Sequence, residues 1–87
     1  MHVVGKPIQM VLWTDEKGEI HPIRFKIQTE DSCSKVIKID KVVFKEKEKL
    51  AGNDMLIYRC QSIIDNEEKV FEIKYELRSC RWILYKI

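Results

Sequence analysis

Histidine and glycine are scarce in this 87-residue chain, two of the first and three of the second, and each scarcity removes a class of chemistry. Glycines at 5, 18 and 52 alone form no glycine-rich loop whose backbone amides could cradle a phosphate. Neither His2 nor His21 has a sequence neighbour that would orient it as a general base, and His21, beside a turn and before Pro22, reads as an exposed side chain. Cysteine is sparse and odd in number. Cys33, Cys60 and Cys80 make no CxxC pair, and a zinc site would have to gather two of them and both histidines from four unrelated segments. They read as reduced thiols acting as small hydrophobes. Adjacent carboxylates occur only at Asp15–Glu16, Glu30–Asp31 and Glu67–Glu68, in polar turns too mobile to hold an acid and a base in place. The expectation is a protein that is not an enzyme and carries no metal or cofactor.

Long apolar runs are missing as well. None exceeds four residues, against the ~20 that a membrane helix needs. Met1–Pro7 lacks the apolar core and small-residue cleavage site of a signal peptide. A cytoplasmic protein without a membrane partner is expected. With 45% hydrophobic and 34% charged residues, the composition suits one small folded domain over 1–87 rather than a disordered chain.

What is present is a period of two. Phe71, Ile73, Tyr75 and Leu77 alternate with Glu72, Lys74, Glu76 and Arg78, which puts four apolar side chains on one face of a strand and four charges on the other. After a break at Ser79–Cys80, Trp82–Tyr85 is apolar on both parities and reads as a strand covered on both faces or bent into a closing barrel. The same pattern recurs upstream in Pro7–Thr14, Ile20–Gln28, Lys35–Phe44 and Met55–Ile64. Pro22 cannot donate to a ladder and so belongs at a strand start or on a free edge. The apolar phase changes around Lys41–Val42, which predicts a bulge or sharp bend. Segment 45–54 favours helix by composition and reads as a short helical turn or loop. The fold class expected is all-β: a single antiparallel meander of about six strands, curled into a barrel or half-barrel of SH3-like or OB-like size.

The net charge of +2 conceals a segregation. The turns at 15–19, 29–34 and 65–69 each carry −2, which leaves +8 on the rest of the chain. Outward positions include Arg24, Lys26, Lys38, Arg59 and Lys74, which make one basic patch if their strands are neighbours. Trp13 or Trp82, if exposed, would add a stacking surface. These residues, with Trp82 among them, form the candidate nucleic-acid site. The expected function is a small non-catalytic binding module for an anionic ligand, nucleic acid first. The alternative is a protein-binding or self-associating (homo-oligomeric) module that uses a free strand edge and surplus aliphatics at Ile57, Ile63, Ile83 and Ile87.

Four stretches, Pro22–Phe25, Glu48–Asn53, Tyr58–Gln61 and Cys80–Tyr85, give the chain a resemblance over nearly its whole length to a family of short uncharacterised β-rich proteins from Gram-positive, clostridia-type bacteria. It is similar, more faintly, to small β-domains encoded near DNA-repair polymerases. The resemblance implies a cytosolic protein and transfers no residue role. Within those stretches, Arg59, Cys60, Arg81 and Trp82 are the residues to test first, and they read foremost as core packing with an arginine lying over an aromatic.

Overall fold

Every alternating segment becomes a strand. In the computed structural model, which describes residues 1–87, β1 is Val3–Thr14, β2 Ile20–Gln28, β3 Ser34–Lys38, β4 Lys41–Leu50, β5 Asn53–Ile64, β6 Glu67–Glu76 and β7 Arg81–Lys86. All pairs are antiparallel, in the order β3-β2-β1-β7-β6-β5-β4, so the first and last strands of the chain meet in the middle of the sheet. No helix is long and apolar enough to cross a membrane.

The two edge strands, β3 and β4, are consecutive in sequence and separated only by Ile39 and Asp40. Such a link reaches about 10 Å, whereas seven flat strands spaced ~4.8 Å apart would hold the edges about 29 Å apart. The sheet therefore has to curl until its edges meet at that corner, which makes a half-barrel. Polar groups fasten the seam. The Ile39 N–H donates to the Ile23 carbonyl at 2.8 Å, and the Asp40 N–H donates to Ser62 Oγ at 3.2 Å. The Ile63 N–H donates to Asp40 Oδ2 at 2.9 Å, so the Asp40 carboxylate stands in for a missing strand. Lys35 Nζ bonds Asp65 Oδ2 at 2.6 Å across the same seam.

The inner face collects Phe25, Ile37, Ile39, Tyr58, Cys60, Ile64, Phe71, Ile73, Trp82 and Leu84. Phe25 meets Phe71 edge-to-face at 5.6 Å, and Trp82 lies 4.8 Å from Tyr75 and 5.6 Å from Tyr58, centroid to centroid. A bulge keeps β2 in phase with this core. Val11 faces Arg24 but Leu12 faces Pro22, so Ile23 is the extra residue and both Ile20 and Phe25 pack against the core. Pro22 lies ahead of the stretch that β3 covers, as its missing N–H requires. In β7, Trp82 and Leu84 are buried inside while Ile83 and Tyr85 are half-buried outside, which explains the apolar residues on both parities.

Two expectations are corrected. The single strand 35–44 is two strands, β3 and β4, because the bend at Ile39–Asp40 transfers the chain from pairing with β2 to pairing with β5. The phase change around Lys41–Val42 is a separate register shift between Val42 and Phe44. Segment 45–54 holds no helix. β4 runs on to Leu50, and Ala51–Gly52, with φ of 51° and 78°, forms a two-residue hairpin turn. Helix propensity loses here because so short a helix is unstable by itself, whereas the strand gains a ladder with β5 and ion pairs from Lys47 to Asp54 and from Glu48 to Lys74.

Candidate functional site

The outer face of β1, β2 and β3 gathers three of the expected cations. Arg24 and Lys26 alternate outward on β2. Lys38 lies directly across from Arg24 on β3, and Val36 lies across from Lys26. On the other flank, β1 sets Val11 beside Arg24 and Gln9 beside Lys26. Gln9, Val11, Arg24, Lys26 and Val36 border a hollow of about 260 Å³. None of Arg24, Lys26 and Lys38 takes part in an ion pair. Trp13, two residues beyond Val11, continues the same face and is 52% exposed. One side of its indole is stacked on the His21 ring at 4.1 Å, with the planes 16° apart.

The other three expected residues lie elsewhere. Arg59, on β5, is paired with Glu72 at 3.7 Å. Lys74, on β6, is paired with Glu48 at 3.1 Å, and its ammonium sits 3.7 Å from the centre of the Tyr85 ring. Both point outward as expected, but β1 and β7 separate their strands from β2 along the sheet, and carboxylates from β4 and β6 neutralise them. Trp82 is 6% exposed and packed between Tyr58 and Tyr75 in the core, so it offers no stacking surface. The six residues thus share no single face. Of the aliphatics Ile57, Ile63, Ile83 and Ile87, only Ile63 is openly exposed.

The turn from β1 to β2 holds an arrangement not foreseen from the sequence. Asp15 Oδ1 accepts the N–H groups of Lys17 at 2.9 Å and Glu19 at 3.0 Å, while Oδ2 is 3.1 Å from His21 Nε2. Gly18, at φ 84°, lets the turn close. The hydrogen bond with His21, backed by those two amides, holds the Asp15 carboxyl below the ordinary carboxylate range. His21 is therefore oriented twice, by Asp15 at its nitrogen and by Trp13 on its ring face. The signal was available: counting outward from the turn pairs Thr14 with Ile20 and Trp13 with His21, the register observed.

Beside this turn the seam opens. Ile20–Pro22 precedes the part of β2 that β3 covers, and a cleft of about 180 Å³ separates it from β4 and β5. Glu19, Ile20, His21, Pro22, Val42, Lys45 and Tyr58 line it. The Tyr58 side chain is buried and its hydroxyl has no hydrogen-bond partner. Burial, with smaller effects from Tyr75, Cys60 and Glu19, pushes its ionisation up to about 12. Cys60, beneath the same sheet, is likewise pushed up to about 12 by burial, so it is a packed thiol and no nucleophile at neutral pH. Cys33 and Cys80 are exposed and free. No protein-family model, curated protein or solved structure matches this chain.

Proposed function

We propose that this chain is a small non-catalytic module that binds an anionic ligand, single-stranded nucleic acid first, across the outer face of β1–β2–β3. The observation that carries the reading is the uncompensated placement of Arg24 and Lys38. Like charges directly opposite on neighbouring strands destabilise a sheet, and here neither side chain forms an ion pair. A phosphate backbone would supply the counter-charge. Trp13 on the same face supplies an exposed ring edge for a base, and Val11 and Val36 supply apolar contact between the cations. The acidic turn at 15–19 limits the face at its Trp13 end, so the ligand's path runs across the strands rather than along them to the turn. The free thiols Cys33 and Cys80 suit a reducing, cytoplasmic setting.

The test is fluorescence anisotropy with labelled DNA and RNA oligonucleotides at several salt concentrations. Three phosphates neutralised on a single strand give a log–log slope of about −2, hence a loss of roughly fifteen-fold between about 50 and 200 mM salt. Arg24→Glu with Lys26→Glu should abolish binding. Trp13→Ala should weaken it by about 1–3 kcal/mol if one base stacks there. Binding that is absent at low salt, or unchanged by the double reversal, overturns the reading.

A second reading, association through the free edge of β4, rests on exposed Phe44 and Leu50. Lys45, Lys47 and Lys49 along that strand oppose edge-to-edge pairing. Light scattering over a range of concentrations decides it, and a monomer throughout removes self-association.

A further inference from the structure

We infer that the β1–β2 turn is a binding site for a divalent transition ion of the zinc class, with Asp15, Glu19 and His21 as ligands. One donor atom from each of the three lies within 4.8 Å of the other two. Two donors bonded at ~2.0–2.2 Å to one tetrahedral ion stand roughly 3.3–3.5 Å apart. The 3.1 Å between His21 Nε2 and Asp15 Oδ2 is close to that spacing, so those two need only small movements to share an ion. Glu19, exposed and with no side-chain hydrogen bond, is free to swing in. One imidazole with two carboxylates selects zinc-like ions over magnesium or calcium, which prefer all-oxygen sites.

The ligands are held by partners of their own. The Lys17 and Glu19 amides fix Asp15 through Oδ1, so that Oδ2, which faces His21 Nε2, is the oxygen the ion takes. Trp13 fixes the plane of the His21 ring. Such outer contacts normally orient metal ligands. A separate observation points to the same place. Tyr58, whose hydroxyl is buried without a partner, lines the same cleft as Glu19 and His21. Three protein donors leave a coordination position for water, and a water held in that cleft is a partner for the phenol. The ion takes the Nε2 lone pair of the neutral ring, whose single proton is then carried on Nδ1. This inference does not depend on the anion-binding reading, and oligonucleotide binding in chelator-treated protein separates the two.

The experiment is a titration of chelator-treated protein with zinc chloride by isothermal titration calorimetry. It uses the full chain carrying Cys33→Ser and Cys80→Ser, so that exposed thiols do not compete. The expected result is one ion per chain. Glu19→Gln and His21→Gln should each weaken binding at least ten-fold. Glu19→Gln removes no hydrogen bond from the fold, so its effect is free of the concern that the variant misfolds. Nickel in place of zinc should quench the emission of Trp13, stacked on the ligand ring, and Trp13→Phe should abolish the quench and leave the signal of buried Trp82. Absence of saturable zinc binding overturns the inference. So does binding that neither ligand variant changes, which marks adventitious surface coordination.

Discussion

The two flanks of the half-barrel carry similar cations in opposite circumstances. On β4–β5–β6, Arg59 and Lys74 each have a carboxylate partner, Glu72 on the neighbouring strand and Glu48 two strands away, and Lys74 is also covered by Tyr85. On β1–β2–β3, Arg24, Lys26 and Lys38 stand beside one another with none. The first flank uses charge to hold the sheet together. The second tolerates repulsion within it. Counting outward lysines and arginines treats the flanks as equal. What separates them is the partner each cation meets, and strand order decides that.

The two tryptophans show the same contrast most strongly. Trp82 fills the core and Trp13 stacks on a surface histidine. Trp82→Ala should cost about 3–5 kcal/mol, a large share of the stability of a domain of this size. Trp13→Ala should leave the chemical-denaturation midpoint nearly unchanged while weakening ligand binding. If the two substitutions destabilise alike, the division between a core aromatic and a surface one is wrong.

The ion pairs come next in size. Lys74 has a side chain only 13% exposed, and Glu48, its partner, is 21% exposed. Glu48→Ala leaves a largely buried ammonium without its counter-charge, at a cost of about 1–3 kcal/mol. Arg24→Ala, on the open flank, should fall within about 0.5 kcal/mol of the parent. Urea unfolding of both variants sharpens the comparison, and equal losses would remove it.

Much of this was legible in the sequence. The inward set Phe71, Ile73 and Tyr75 follows directly from alternation, as does the shared face of Arg24 and Lys26. Lys38 joins them because β2 and β3 form a hairpin, which makes their pairing local. Arg59 and Lys74 were read correctly as outward, but their neutralisation was not visible. Glu48 is 26 residues from Lys74 and lies on a strand not even adjacent to β6. Trp82 was ambiguous because its strand is apolar on both parities, and only packing against Tyr58 and Tyr75 settles which side is inside. The lysine–glutamate alternation in β4 satisfied both helix propensity and a strand period, and the choice was made by β5, a partner that local preference does not include.

The smallest effect discriminates best. Lys38→Glu replaces a like-charge pair across β2 and β3 with an opposite one. If the open flank is merely a solvated surface, the change should add about 0.2–1 kcal/mol of stability and do nothing else. If it is a ligand face held in readiness, stability should rise by that same amount while oligonucleotide affinity falls and the salt dependence loses about 0.7 from its slope, one phosphate contact fewer. The two readouts then move in opposite directions in one variant. That pattern separates a functional cation from a structural one, because removing a structural cation such as Lys74 lowers stability. Parallel unfolding and anisotropy measurements on Lys38→Glu decide it: a variant that is less stable than the parent, or that binds as tightly with an unchanged slope, returns Arg24 and Lys38 to the ordinary surface charges of a small β-domain.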